Sequence, residues 1–338
     1  MKIHYLSCHS ILEYDEVKLL TELGHEVYSN GVYRDPKGHY GLPRPGIPGA
    51  PFDQKFMDLT ARYPKTDLPK ELIEPYDALI FMSGLHEQPL ISNWDRIKHK
   101  RVICRTIGQS TPETEGMLRR LRSEGLEIVR YSPKEKAIPG FVGEDALIRF
   151  YKYSEEFEGW TGEDKRPVNF TQSLKGRRLP CHYEEVMGAL VGYEGAKVYG
   201  SGNDDLGKFN GGEVPFEQMK QILRRARAFV YTGTHPACYT LSFIEALMTG
   251  TPVIAASKKI TQSGDFGAFE FYEVDEIIKN GVNGFVCDSI PEMRQRIDEL
   301  IANDHLAKQI SQAGRKTAME LFDKPQIAKQ WKEFLDRG

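Results

Sequence analysis

The chain has 338 residues, of which 40% are hydrophobic and 28% charged, with a formal net charge of -3. This length predicts two domains, and the near-neutral charge gives no electrostatic reason to expect tight binding to nucleic acid or to an anionic membrane. Five scattered cysteines without a C-x-x-C pair argue against a disulfide framework and a zinc knuckle, and no apolar run is long enough for a signal peptide or a membrane span. We therefore expect a cytoplasmic protein with reduced thiols and no stable membrane insertion.

Strand-like and helix-like segments alternate in the first half of the chain. Residues 2–7 predict a strand, the following amphipathic helix stops at Gly24, and residues 25–29 predict a second strand. The alternation continues through residues 76–84, 101–108, 113–124 and 127–132. It predicts a parallel sheet covered by helices. Residues 38–52 interrupt it with four prolines and four glycines, which predicts a long exposed loop.

The second half repeats this plan. A charged, aromatic helix is predicted around residues 144–158, and the Gly-, Pro- and charge-containing residues 159–167 predict an interdomain linker. Strands and helices then alternate as far as residue 257, and the last sixty residues are helical with a break at Pro325. The sequence thus predicts two Rossmann-like domains, the first over residues 1–160 and the second over 161–324.

Four polar segments follow strands of the second domain. They are Gln172–Arg178, Gly200–Asp205, Thr232–Thr240 and Ala256–Gly264. In an open α/β sheet, ligands bind outside the carboxyl ends of the strands. Glycines, hydroxyls and cations in these segments suit a phosphate and sugar site.

Lys175, Arg177 and Arg178 lie directly after a strand. Cations there, separated by a flexible glycine, suit the clamping of a diphosphate as its bond to a sugar breaks. A solvated turn with three charges is an equally good interpretation. Gly200 and Gly202 permit close approach of the backbone to a ligand, although a lone G-x-G is more often a plain tight turn.

The segment 236–255, "PACYTLSFIEALMTGTPVIA", carries the strongest signal. Thr240 or Ser242 is expected to cap a helix whose first N–H groups and dipole favour a phosphate. Glu245 lies one turn further in, among apolar residues, and suits the binding of two vicinal hydroxyls such as those of a ribose. The alternative is a structural carboxylate paired with an Arg or Lys.

With "EIIKNGVNGFVCD" at residues 276–288, this segment resembles the donor-binding half of the retaining family 4 (group 1) glycosyltransferases of GT-B architecture. The resemblance extends over residues 168–323 and is thinner in the first half. It implies an α/β fold of two Rossmann-like domains facing each other across a cleft. It also implies a first domain that binds the acceptor, a second that binds the donor, and a terminal helix, residues 325–338, that crosses back to the first domain.

The resemblance also implies roles for individual residues. Glu245 would bind the ribose, and the turn at Tyr239, Thr240 and Leu241 would give backbone N–H groups to the donor. Lys175 with Arg177 or Arg178 would occupy the place of the cation pair that binds the diphosphate. The remaining positions are His86 facing the donor sugar, Gly200 and Gly202 in the donor site, Val214 lining the base pocket, and His9 and Ser10 at the acceptor site.

The sequence departs from the family at one position that contacts the transferred sugar. The family has a second glutamate eight residues before the ribose-binding one, where this chain has Ala237. His235 is a candidate substitute, although a lone histidine is more often a turn residue. The identity of the sugar is therefore open.

The expected reaction is transfer of a sugar from a nucleoside diphosphate sugar, UDP-sugar favoured, to an acceptor hydroxyl with retention of anomeric configuration. No metal and no cofactor are expected, because the helix N-terminus and the cations stabilise the leaving diphosphate. The acceptor is unknown and ranges from a glycan or lipid-linked glycan to a small molecule or a modified DNA base. Two alternatives remain: a nucleotide-sugar-binding GT-B protein without transferase activity, and a nucleotide-sugar epimerase or a phosphorylase of GT-B shape.

Overall fold

The structure is a computed structural model that describes residues 1–34, 42–51, 68–83, 88–108, 110–261 and 271–337. The chain divides into two compact units, one formed by Met1–Phe150 with Pro325–Gly338 and the other by Tyr151–Lys324. The acceptor and donor roles of these two halves stay predictions. His86 and residues 38–41 and 52 of the predicted loop 38–52 lie outside the described residues.

The first unit is built on a parallel sheet of six strands in the order β2-β1-β3-β4-β5-β6. Its main elements are β1 (Lys2–Leu6), α1 (Ser10–Glu22), β2 (Glu26–Ser29), β3 (Ala78–Ser83), α2 (Gln88–Ile97), β4 (Arg101–Thr106), α3 (Pro112–Ser123), β5 (Glu127–Arg130), β6 (Ala146–Leu147) and the terminal α11 (Lys324–Leu335). Helix α1 gives way to β2 at Gly24, whose φ of 88° is costly for other residues. The predicted β-α-β beginning is therefore confirmed.

The second unit has a parallel six-stranded sheet in the order β12-β11-β10-β7-β8-β9. Its elements are β7 (Val168–Phe170), α4 (Tyr183–Leu190), β8 (Lys197–Tyr199), β9 (Asn210–Gly212), α5 (Phe216–Arg225), β10 (Phe229–Tyr231), α6 (Leu241–Thr249), β11 (Val253–Ala256), α7 (Lys258–Thr261), α8 (Val274–Ile277), β12 (Phe285–Cys287), α9 (Ile290–Ala302) and α10 (Asp304–Phe322). The predicted alternation of strands and helices is confirmed. The first and fourth strands of the unit, β7 and β10, are neighbours, so the strand order reverses between them.

The predicted helix at residues 144–158 is wrong. The segment holds the short edge strand β6, which pairs with β5, and a 3₁₀ turn at Ser154–Phe157. Tyr151 and Tyr153 are buried with Lys152 between them. Aromatic residues here follow an extended path through the interior, and tertiary packing overrides the local helical pattern.

The terminal helices break next to Pro325, as predicted, and the break lies two residues earlier, at Asp323. Helix α10 ends at Phe322, and α11 already begins at Lys324. Pro325 thus occupies the first turn of α11, where its missing N–H removes no helical hydrogen bond. None of the helices in the described part of the chain combines the length and apolarity that a membrane crossing needs.

Candidate functional site

Four loops of the second unit meet at the carboxyl edge of its sheet. The loops after β7 and β8 are joined by Asn203, whose side-chain amide donates to the carbonyl oxygen of Thr171 at 2.7 Å and whose Oδ1 accepts the N–H of Leu174 at 2.9 Å. The loops after β7 and β10 are joined by the hydroxyl of Thr232, which donates to the carbonyl of Cys181 at 3.1 Å. Because β7 and β10 flank the reversal of strand order, this edge is where a doubly wound sheet binds its ligands.

The loop after β7, residues 171–182, presents the three predicted cations. Nζ of Lys175 lies 3.6 Å from a carboxylate oxygen of Asp205, and Arg178 pairs with Glu184. Arg177 has no carboxylate partner within the part of the chain that the structure describes. Each pair that Lys175 and Arg178 form is half exposed, so its contribution to stability is small and a bound anion can replace the carboxylate.

Two residues of the same loop have a left-handed backbone. Ser173 has a φ of 44° and His182 a φ of 53°. Residues other than glycine adopt this region at a cost of order 1–3 kcal/mol, and such strain is concentrated at functional sites. Sequence reasoning missed both, because neither residue type signals this conformation.

Gly200 and Gly202 are required by packing between loops. A Cβ on Gly200 would lie 2.7 Å from the carbonyl oxygen of Thr171, and one on Gly202 would lie 3.2 Å from Cβ of Ser173. Their φ values are 136° and 70°. The structure therefore explains both glycines by the tight turn between β8 and the following loop, while a donor-binding role stays a prediction. Val214 is half-buried just beyond β9.

Helix α6 begins without a side-chain cap, so the predicted capping by Thr240 or Ser242 is wrong. The two hydroxyls lie 3.0 Å from each other instead. The N–H of Thr240, predicted to be open to a ligand, donates to the hydroxyl of Tyr231 at 3.0 Å. The ring of Tyr239 is buried against Phe322. What this helix start can offer an anion is therefore the N–H groups of its first turn, from Leu241 onwards.

Glu245 is buried and forms an ion pair with Lys152. Its Oε1 lies 2.8 Å from Nζ of Lys152, and the two side chains are 6% and 3% exposed. Lys152 stands just inside the second unit, where its N–H donates to the carbonyl of Phe322 at 2.9 Å and its carbonyl accepts the N–H of Lys324 at 3.2 Å. Pairing with a lysine, the structural alternative for Glu245, is therefore present. The sequence held one signal for it, a lysine inside the aromatic run Phe150–Tyr153.

A small, partly open pocket lies at the ends of β7 and β10. Its lining consists of His182, Thr232, Thr234, His235, Pro236, Ala237, Thr261, Phe271 and Tyr272. Burial, together with the neighbouring His235, lowers the pKa of His182 to about 4. The pocket thus contains Ala237 and the candidate substitute His235, and its buried histidine is neutral at neutral pH. Sequence reasoning did not find His182 or Tyr272.

The predicted acceptor residues lie at the start of α1 in the first unit. His9 is the N-cap of α1, and its Nδ1 accepts the N–H of Leu12 at 3.4 Å. Ser10 is buried. One turn along, Glu13 accepts the N–H of Gly31 at 2.7 Å, and burial raises its pKa to about 7. Sequence reasoning missed this buried carboxylate at the carboxyl edge of the first sheet.

Among the residues with described positions, no group of three or more His, Cys, Asp or Glu side chains is arranged to hold a metal ion. The expectation of a metal-independent reaction stays a prediction.

Residues 169–333 match the family model described as glycosyl transferase-like. Solved structures resemble the whole chain, among them sucrose-phosphate synthase from Thermosynechococcus elongatus, with a TM-score of 0.68, 13% identity and coverage of 100% of this chain and 98% of that one. The chain has the GT-B fold. HepE from Anabaena, solved in complex with UDP-glucose, shares this fold with a TM-score of 0.65, 14% identity and full coverage of both chains.

A glycosyltransferase from Rickettsia africae is a further GT-B neighbour, with a TM-score of 0.64, 14% identity and coverage of 100% of this chain and 99% of that one. No curated protein gives a significant sequence match. The sequence match to a glycosyl transferase-like family therefore lies in the second half of this GT-B chain, and it includes α6, Glu245 and the pocket.

Proposed function

We propose that the protein is a glycosyltransferase that moves a sugar from a UDP-sugar to an acceptor hydroxyl, with retention of anomeric configuration and without a metal. One observation carries this proposal. The uncapped start of α6 lies at the carboxyl edge of a parallel sheet, with Glu245 buried one turn inside, in a segment that matches a glycosyl transferase-like family.

The leaving diphosphate is assigned to the start of α6 and to the loop after β7. The first-turn N–H groups of α6 and its dipole attract an anion without rearrangement. Lys175, Arg177 and Arg178 supply cations, and Arg177 has no competing carboxylate among the described side chains. Charge that builds on the diphosphate as the glycosidic bond breaks is stabilised by these groups, which is the main electrostatic requirement of the reaction.

The ribose is assigned to Glu245. A carboxylate accepts two hydrogen bonds from vicinal hydroxyls, one on each oxygen or both on one. Lys152 compensates the charge of this carboxylate in the unliganded protein at 2.8 Å. We therefore regard the ion pair as compatible with nucleotide binding, with Lys152 orienting the carboxylate oxygens of Glu245 that accept the ribose hydrogen bonds.

UDP is favoured as the nucleotide because a neighbour of the same fold, HepE, was solved with UDP-glucose and with UDP and glucose. In this proposal Gly200, Gly202 and Val214 approach the nucleotide, while the backbone N–H groups from Leu241 onwards face the diphosphate or sugar. His86 faces the sugar, and His9 and Ser10 contribute to the acceptor site. The acceptor remains a glycan, a lipid-linked glycan, a small molecule or a modified base.

Calorimetric titration with UDP, GDP, ADP, TDP and CDP tests the proposal. Wild type is expected to bind UDP, and Glu245→Gln to weaken UDP binding at least tenfold, because a hydrogen bond to a charged group contributes about 1.5–3 kcal/mol. The matched control is Glu320→Gln, which removes an exposed carboxylate of α10 that pairs with Lys316. It should bind UDP as tightly as wild type does. The proposal fails if no diphosphate binds, or if Glu245→Gln binds UDP as tightly as wild type does.

A GT-B protein that binds nucleotide sugars without transferring them is the second candidate. Ala237 favours it, because a methyl group stands where the resembled family has a carboxylate near the transferred sugar. UDP release from UDP-glucose in the presence of an acceptor panel separates the two functions. Binding without turnover supports this second candidate, and interconversion of sugars without any acceptor would indicate an epimerase.

A further inference from the structure

The pocket between the ends of β7 and β10 contains a phenol whose hydroxyl has no hydrogen-bond partner. Tyr272 is 8% exposed, and its hydroxyl oxygen is buried without a partner in the part of the chain that the structure describes. Leaving such a group unsatisfied has a free-energy penalty of about 1–3 kcal/mol. Buried polar groups of native proteins are almost always paired, so this hydroxyl requires an explanation.

Two buried phenols near the end of β10 differ in this respect. The neighbouring phenol, Tyr231, is also fully buried, yet it accepts the N–H of Thr240 at 3.0 Å. Burial, then the neighbouring Tyr231 and the charge of Asp275, raise the pKa of the Tyr272 hydroxyl. The Asp275 carboxylate nevertheless accepts no hydrogen bond from that hydroxyl. The Tyr272 ring packs closely on the end of β10, since a Cβ on Gly233 would lie 3.2 Å from Cε2 of Tyr272. The ring is thus closely packed, while its hydroxyl has no acceptor among the described residues.

The described lining of the pocket around Tyr272 is polar. Its described residues include three threonines and two histidines, and none of them is Asp, Glu, Lys or Arg. The pKa of His182 is lowered to about 4, so this ring adds no charge at neutral pH. The described lining would give a buried phosphate or carboxylate no counter-charge, which is strongly unfavourable. The ligand group that fits is an uncharged one carrying an oxygen that accepts a hydrogen bond.

The pocket also adjoins the assigned diphosphate site. Ala237, on its wall, precedes the first residue of α6 by four positions, and the N–H of Ala237 donates to the carbonyl of Thr234 at 2.7 Å within the same turn. A group attached to a diphosphate at the start of α6 is therefore within reach of the pocket. In a nucleoside diphosphate sugar, the uncharged, oxygen-bearing group beyond the diphosphate is the sugar.

We propose that Tyr272 is a specificity-determining residue for the donor sugar, donating its phenolic hydrogen to a hydroxyl or carbonyl oxygen of that sugar in the pocket. This inference rests on the proposed function. It predicts that the sugar adds affinity beyond that of UDP, because bound sugar satisfies the orphan hydroxyl. A gain of about 5- to 150-fold in affinity corresponds to relief of one unsatisfied buried hydroxyl.

Two measurements on the full chain test the role of Tyr272. The first is calorimetric titration of wild type and Tyr272→Phe with UDP, UDP-glucose, UDP-galactose, UDP-N-acetylglucosamine and UDP-glucuronic acid. In wild type at least one neutral UDP-sugar should bind about 5- to 150-fold more tightly than UDP. UDP-glucuronic acid should show no such gain. Tyr272→Phe should abolish the gain and leave UDP affinity unchanged. Tyr193→Phe, which removes a hydroxyl bonded to Asp298 at 2.7 Å, should behave as wild type in binding.

The second measurement is the melting temperature without ligand. Tyr272→Phe should melt at or above the wild-type temperature, because the lost hydroxyl had no partner, whereas Tyr231→Phe should melt lower because it leaves the Thr240 N–H without an acceptor. A purely structural hydroxyl at Tyr272 would give a lower melting temperature instead.

The outcomes separate this inference from the function on which it rests. If wild type does not bind UDP, the proposed function and this inference fall together. If UDP binds but no neutral sugar improves the affinity, or if Tyr272→Phe keeps the gain, the assignment of Tyr272 is overturned and the nucleotide site stands. A gain with UDP-glucuronic acid, or a lower melting temperature of Tyr272→Phe, also overturns it.

Discussion

Replacement of Lys152 by methionine should destabilise the second unit strongly. Methionine keeps most of the volume of the lysine side chain but leaves the Glu245 carboxylate without its partner. The Glu245 side chain is only 6% exposed. Removing one member of a buried ion pair destabilises by about 3–5 kcal/mol, because the remaining charge stays desolvated. In a unit of this size each kcal/mol lowers the melting temperature by about 2–4 °C, so we expect a decrease of about 10 °C.

The second variant in this test is Glu245→Gln, alone and combined with Lys152→Met. The double variant buries no charge, so it should recover much of the stability that Lys152→Met loses, with a coupling energy of about 2 kcal/mol or more. Hydrogen exchange of the α6 amides at increasing urea concentration measures the unfolding of the second unit directly. The unfolding of the two units then need not be treated as one two-state transition. Lys316→Met removes an exposed lysine 3.9 Å from Glu320 and should change stability by less than about 0.5 kcal/mol.

Two results would refute this reasoning. The first is a loss below about 1 kcal/mol in Lys152→Met, which would mean that solvent reaches the carboxylate. The second is simple additivity of the two substitutions, which would mean that the 2.8 Å contact carries no net coupling.

Two further predictions concern stability. The pKa of Glu13 is raised to about 7 in the folded protein, so between about pH 4.5 and 7 the folded state holds a proton that the unfolded state has lost. The free energy of unfolding of wild type should therefore decrease by up to roughly 3 kcal/mol as the pH rises from about 4.5 to 7. Glu13→Gln should lack this pH-dependent loss of stability when urea unfolding is compared at pH 5 and pH 8. An unchanged pH dependence would contradict the raised pKa of Glu13. Gly200→Ala should destabilise by about 2 kcal/mol or more, because its Cβ would meet the Thr171 carbonyl at 2.7 Å. Gly207→Ala is the matched control for thermal melting, because Gly207 also has a positive φ but a Cβ there would face open space. It should lose less stability than Gly200→Ala. Equal losses of stability would show that backbone conformation alone explains the effect at Gly200.

The sequence predicted the features of this protein that depend on local order along the chain. Alternating strands and helices gave two parallel sheets, and polar residues after successive strands marked the edge where the candidate site lies. Glu245 stood out because its helical neighbours are apolar, and the structure buries it. These predictions succeed because periodicity and position relative to a strand end are both readable from neighbouring residues.

Tertiary structure alone decided which distant residues meet. Lys152 reaches Glu245 from a segment whose local pattern suggested a helix, and Tyr272 reaches the end of β10 from beyond β11. The strand order that places β7 beside β10, and so brings His182 to Ala237, is likewise a property of the folded sheet. Such contacts follow from the packing of whole elements against one another, and a residue carries no local mark of the partner that packing will give it.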